Sequence, residues 1–207
     1  MITDRLPRNN RLLLQYRQSE SLTSVDLPPH PGFSHLAQII ESVMREGTPA
    51  EVGHACADFL AAAASFYAVS APEVRALAAR PLRVREGGSQ TELFGDYSLA
   101  DARIRIWTRT AVRKHVTSFG TFLSTLCHEF CHHLDCRKFG FKRSPHTRGF
   151  YERAALLYHH ARGTPAKRLF WIEAPGGRWR IDWGRMNSVQ RTADQILRFS
   201  SRSYSGK

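Results

Sequence analysis

The sequence predicts a single α+β domain in which helices pack against a small, mostly antiparallel sheet. Helix-start signals recur, as in Thr48-Pro49-Ala50-Glu51, a capping-box pattern with proline at the first helical position. Between Leu82 and Thr108 the apolar period changes from helical to two, as strands require. Beyond Thr117 a helical stripe returns and a second two-residue pattern follows it. The 207 residues suit one domain, and 42% apolar with 23% charged residues excludes a disordered chain. No apolar run reaches the roughly 18 residues of a membrane span, so no membrane partner is expected.

Residues 1–32 are polar and turn-rich and end in Pro28-Pro29-His30-Pro31-Gly32. They read as a flexible N-terminal arm. Phe33 to Arg45 has helical apolar spacing, and the Thr48 cap opens a helix to about Tyr67. Ser70-Ala71-Pro72-Glu73 repeats the capping device and predicts a shorter helix stopped by Pro81. Leu82 to Glu86 reads as a strand. Leu93 to Ser98 and Ala102 to Thr108 form a hairpin about Ala100-Asp101, with Ile104 and Ile106 on one face and Arg103, Arg105 and Trp107 on the other. Thr117 or Ser118 caps a long helix to about Arg137, with Gly140 beyond its end. Ser144-Pro145 starts another helix that fades near Gly163. Leu169 to Glu173 and Arg178 to Trp183 flank a Pro175-Gly176-Gly177 turn as a second hairpin. Asn187 to Phe199 reads as a final helix and 200–207 as a basic tail. The catalytic or binding domain is thus 33–185, with 186–207 a basic C-terminal extension.

Thirty basic against 18 acidic residues give a net charge of +12, which favours a polyanionic partner, most simply nucleic acid. Residues 161–207 alone hold ten basic and three acidic residues. Four cysteines in a chain this long do not form a disulfide framework, and Met1 to Arg17 lacks the apolar core of a secretory signal. The expected setting is reducing and cytoplasmic, near the nucleoid if DNA is the partner.

His128-Glu129-Phe130-Cys131-His132 is H-E-x-x-H. Spacing of four along a helix brings both imidazoles within reach of one metal ion, with Glu129 beside them as general base toward water. Shuffling this composition gives about 0.02 such matches, so the motif is informative. Leu123, Leu126, Phe130 and Leu134 add the stripe of a buried helix. A catalytic zinc takes three protein ligands. Asp135 shares the face of His128, but seven residues is about 10.5 Å of helix. It suits a hydrogen bond to the outer nitrogen of His132, or a solvent-facing position. His146 is the candidate third ligand, placed in the first turn of the next helix, and Glu152 is its rival.

His128-Glu129-x-x-His132 followed after thirteen residues by His146-x-x-x-Phe150 resembles the SprT-like metallopeptidases, the group that includes the Spartan proteases. Gly95-Asp96-Tyr97 and the strand with Ile104 and Ile106 are similar to the strands leading into their active helix. The resemblance spans roughly Phe33 to Gly163, most specifically Gly95 to Phe150. It implies a zincin-like fold, one Zn2+ held by His128, His132 and His146, and Glu129 as catalytic acid/base. It also implies cleavage of protein or peptide substrates, often proteins bound or crosslinked to DNA. Thr147 stands where the family often has glycine, with Gly149 two positions on. No cysteine follows Cys136, so the zinc ribbon of many members is absent.

Cys127 and Cys131 read as small buried hydrophobes beside the stripe, and His133, His159 and His160 as surface or supporting residues. Tyr151, Tyr158 and Arg148 are candidate oxyanion donors or substrate contacts. Arg178-Trp179-Arg180-Ile181-Asp182-Trp183 alternates basic and aromatic residues. Its aromatic face suits packing, and Arg178 and Arg180 are candidate nucleic-acid contacts. The alternative to a peptidase is a basic nucleic-acid-binding protein whose histidine site is structural or vestigial.

Overall fold

A computed structural model describes residues 1–84 and 90–188. Helix α1 (Asn10–Ser21) precedes α2 (Gly32–Glu46) and α3 (Pro49–Phe66). The strands β1 (Glu73–Ala79), β2 (Leu82–Val84), β3 (Gln90–Glu92), β4 (Gly95–Ser98) and β5 (Arg103–Arg109) follow. Then come α4 (Phe119–Arg137), α5 (Arg148–Arg162), β6 (Trp171–Ala174) and β7 (Arg178–Ile181). Residues 183–188 are helical, beginning before the Asn187 start expected from the sequence. The remainder of that expected helix, the basic tail and the end of the Leu82–Glu86 strand lie outside the described residues. The architecture is mixed α+β with small sheets, and no described helix is long and apolar enough to cross a membrane.

Local sequence explains the helix starts. Thr48 and Glu51 complete the capping box, the Glu51 carboxylate accepting from the Thr48 backbone N–H at 2.7 Å. Ser118 caps α4, its hydroxyl accepting from the Thr121 N–H. Gly163 ends α5 with φ 68°, the left-handed position that suits glycine.

Glu73 to Ala79 departs from the expected helix and is a strand. The capping pattern at Ser70 is a local signal, and a pairing partner outweighs it. β1 lies parallel to β5, Glu73 opposite Arg103 through Ala79 opposite Arg109. Val74 and Ala76 pack on the core, while Glu73 and Arg75 face out and pair at 2.7 Å. The three-stranded sheet is therefore mixed, in the order β1-β5-β4, with only β4–β5 antiparallel; the separate β2–β3 and β6–β7 pairs are antiparallel. Ile104 and Ile106 enter the core as expected, and Trp107, expected on the outward face, is buried as well.

The main core joins α2, α3, α4 and β5 through residues such as Ile40, Phe59, Leu60, Phe122 and Leu126. A second cluster ties α4 and α5 to the β6–β7 hairpin through Cys131, Phe150, Leu169 and Ile181. Cys127 also lies in the core, as the stripe implies.

The N-terminal 32 residues, expected as a flexible arm, are docked. Ile2 bridges to Arg180, the Thr3 N–H donates to the Trp179 carbonyl, and the Trp179 N–H returns to the Thr3 hydroxyl, both at 2.8 Å. α1 ends on the first turn of α5. A β-carbon at Gly149 would meet the Ser19 carbonyl oxygen at 2.1 Å, so only glycine permits this approach. The Arg153 guanidinium donates to the carbonyls of Ser19 and Leu22, satisfying groups that a helix end leaves open. The anchors are hydrogen bonds to distant residues together with scattered apolar contacts, Tyr16 being buried and Val25 and Leu27 packed on the main core, and neither leaves an apolar stripe in a polar segment.

Candidate metal centre

α4 carries His128, Glu129 and His132 across the core and presents them at its cleft-facing side. Their imidazoles meet His146, which lies just before the Thr147 cap of α5 rather than within its first turn. His128 Nε2 and His132 Nε2 are each 3.1 Å from His146 Nε2. The three ligand atoms lie within 4.8 Å of one another. One imidazole nitrogen carries at most one proton, so two such contacts on His146 Nε2 cannot both be ordinary N–H···N bonds. Ligands about 2.0–2.1 Å from a tetrahedral ion lie roughly 3.3 Å apart, which fits this spacing.

Phe150, fully buried, forms the floor. Its ring centroid is 4.8 Å from that of His128, 4.5 Å from His132 and 5.1 Å from His146. Burial, together with the neighbouring imidazoles, lowers the pKa of His128 to about 3 and lowers that of His132. Both rings are held neutral, the form that binds metal.

A buried polar chain sets the tautomer of His132. The Ser144 hydroxyl donates to Asp135 Oδ2 at 3.0 Å, so its oxygen accepts from His132 Nδ1, 2.6 Å away. The proton therefore sits on Nδ1, and Nε2 keeps its lone pair toward the other histidines. Asp135 does support His132, as one reading of its position expected, but through Ser144 and from a fully buried position rather than directly or in solvent. Its Oδ1 accepts from Arg153 Nη2 at 2.7 Å, with both side chains 0% exposed. Burial pushes the Asp135 carboxyl up, against Arg153 and Ser144, which favour its charged form.

His146 is held from the N-terminus. Its backbone N–H donates to Asp4 Oδ2 at 2.9 Å, and its carbonyl accepts from the Asp4 N–H at 2.8 Å. The same carboxylate oxygen lies 3.6 Å from His146 Nδ1. Burial raises the Asp4 pKa, but its bonds to His146 outweigh that and hold it below the ordinary value.

Glu129 is 6% exposed and lines the cleft with the three histidines, Asp96, Arg143 and Ser144. Burial, then the Asp96 charge, raises its pKa to about 8. Strand β4 closes over it. A β-carbon at Gly95 would lie 2.6 Å from Thr125 Cγ2 and 3.2 Å from Glu129 Oε1. Tyr97 also lines the cleft, and its hydroxyl donates to His133 Nδ1, since His133 Nε2–H is committed to the Ser70 carbonyl at 2.8 Å. His133 is thus a buried link between α4 and the β1 approach, not a surface residue.

Several candidates fall elsewhere. The Glu152 carboxylate accepts from Trp171 Nε1 at 3.0 Å, which ties it to the hairpin rather than to the histidines. Arg148 pairs with Glu20 and lies over Trp179. The Tyr151 hydroxyl donates to the Ile2 carbonyl, while its ring stacks on His146. Tyr158 lines a separate cavity. Arg178 Nε donates to the Pro175 carbonyl, and Arg180 is exposed. His159 is bonded to Thr164 and His160 to the Pro28 carbonyl. Asp4, Arg143 and Ser144 were not singled out from the sequence; only Ser144 had a local signal, as a presumed helix start.

The chain matches no protein-family model, no curated protein and no solved structure.

Proposed function

We propose that this chain is a zinc-dependent metallopeptidase of SprT-like, zincin type. One observation carries the reading: three histidine nitrogens and the Glu129 carboxylate face a single cleft. Imidazole-only sites suit zinc among other transition metals, and a bound ion supplies Lewis-acid polarisation and acidifies water. His128, His132 and His146 would hold it. Glu129 takes a proton from water at its carboxylate and returns it to the leaving amine. Arg143 is the cation lining the cleft and is our candidate for the developing oxyanion. The substrate is a protein or peptide. The net charge of +12 supports action on proteins held at DNA.

The test is metal content with paired variants. Wild type should carry about one zinc per chain, and His146→Ala should lose it. Glu129→Gln should keep zinc and lose peptide hydrolysis by at least about 100-fold, the low end for a general base. Full turnover in Glu129→Gln, or a metal-free wild type after zinc loading, would refute the reading. The same charge supports a second reading, a basic nucleic-acid-binding protein with a structural histidine site. It predicts DNA binding that weakens steeply with salt and no cleavage by the zinc-loaded protein.

A further inference from the structure

A cavity of about 360 Å³ adjoins the metal cleft and shares Asp4 and Arg143 with it. Its walls come from the docked N-terminal segment, α1 and the loop before α5. Pro7, Leu12, Tyr16 and Pro145 make the apolar part, and Arg5, Gln15, Arg143 and Asp4 the polar part. Arg5 and Arg143 are exposed, and neither has a hydrogen bond or an ion pair among the described residues. The Asp4 carboxylate is already engaged, accepting the His146 N–H at 2.9 Å. Gln15 leaves its side-chain oxygen buried without a partner, which native proteins seldom do.

We infer that this cavity is a subsite for an acidic side chain, Asp or Glu, of the polypeptide bound at the histidine cluster, held by Arg5 and Arg143. The inference rests on the peptidase reading above. Two unpaired guanidiniums beside an apolar wall match a carboxylate on a short methylene stem, since the guanidinium fork binds carboxylates. Two cations against the one charge of Asp4 leave the local balance positive. Arg143 has five N–H donors and borders both cavities, so it joins the subsite to the cleft. A phosphodiester would leave the apolar wall unmatched and brings no backbone N–H. A peptide brings one, which Gln15 accepts once its terminal amide turns toward the cavity. Arg143 precedes His146 by three residues, so their Cα atoms are at most about 11 Å apart. That span places the acidic residue within about three positions of the bond held at the histidines.

The test reads binding, not turnover. Zinc-loaded wild type, Arg5→Ala and Arg5→Glu are titrated with acetylated peptides ending in a hydroxamate and with succinyl hydroxamates extended by amidated peptides. The chelator anchors each probe on zinc, and the two sets sample both directions from it. Glutamate, glutamine or lysine stands at the first, second or third residue, and affinity ratios are read within each protein. At one position wild type should prefer glutamate to glutamine about 3- to 5-fold, the scale of an exposed ion pair, and less at high salt. Arg5→Ala should reduce that ratio, and Arg5→Glu should reverse it in favour of lysine. Arg8→Glu, the same change of charge at an exposed residue that does not line the cavity, should keep the wild-type preference. A flat series in wild type, an undiminished preference in Arg5→Glu, or an equal loss in Arg8→Glu would overturn the inference. So would a short single-stranded DNA whose binding falls in Arg5→Glu while the peptide series stays flat, because the arginines then serve phosphate. A glutamate preference lost in Arg5→Glu, without cleavage of any peptide, keeps the subsite and removes the peptidase reading. Cleavage with a flat series does the reverse.

Discussion

Replacing Asp4 by alanine should weaken zinc binding about 3- to 10-fold while the N-terminus stays docked. Two interactions are removed: the bond from the His146 N–H at 2.9 Å and the approach to His146 Nδ1 at 3.6 Å. A hydrogen bond to a charged acceptor is worth roughly 1.5–3 kcal/mol when water cannot replace it. The Asp4 side chain is 53% exposed, so water recovers much of that and about 1 kcal/mol remains. Losing a carboxylate that orients a histidine ligand typically costs 10- to 100-fold in metal affinity, and this exposure places Asp4 at or below the low end. The backbone bonds of Thr3 and Asp4 to Trp179 and His146 persist in the variant and keep the segment in place. Asp4→Asn, which retains an acceptor without charge, should fall between. Competitive titration against a zinc-binding dye measures the dissociation constants, and thermal melting of the metal-free proteins checks the fold. An affinity for Asp4→Ala within 1.5-fold of wild type would refute the claim that the N-terminal segment positions the third histidine.

Three further outcomes are expected. Gly95→Ala forces its new methyl against Thr125, whose hydroxyl is anchored to the Thr121 carbonyl at 2.9 Å, and against Glu129. Zinc content should be unchanged and peptide hydrolysis should fall at least about 10-fold, since small misplacement of a reacting group is costly; wild-type turnover would show that Glu129 is not displaced. Arg153→Ala leaves the Asp135 carboxylate buried without its ion pair and uncaps α1, and should destabilise the fold by about 3–5 kcal/mol in denaturant melts; a loss below 1 kcal/mol would contradict the buried-pair account. Zinc at 100 times its dissociation constant should stabilise the protein by about 2.7 kcal/mol, an increment absent in His146→Ala; equal stabilisation of both by zinc would place the ion elsewhere.

The sequence by itself determined the parts that rest on local spacing. The Thr48 and Ser118 caps, the Gly163 end, both hairpins and the α4 stripe follow from short-range rules, because each is stabilised within a few residues. H-E-x-x-H likewise carries its geometry, since four residues of helix fix two imidazoles and a carboxylate. His146 was legible as a candidate, but Glu152 remained its rival until α5 turned that carboxylate toward Trp171. Only the tertiary structure decided the rest. β1 is a strand because β5 offers it a parallel edge, and a capping pattern cannot anticipate a partner thirty residues away. The polar N-terminus is docked because Gly149, Arg153, Trp179 and His146 wait for it across more than a hundred residues. Asp4 and Ser144 act on the histidines through one or two hydrogen bonds each, which leave no periodicity in a sequence. The chemistry of the site was written locally; the orientation of its groups depends on contacts that exist only once the chain has closed on itself.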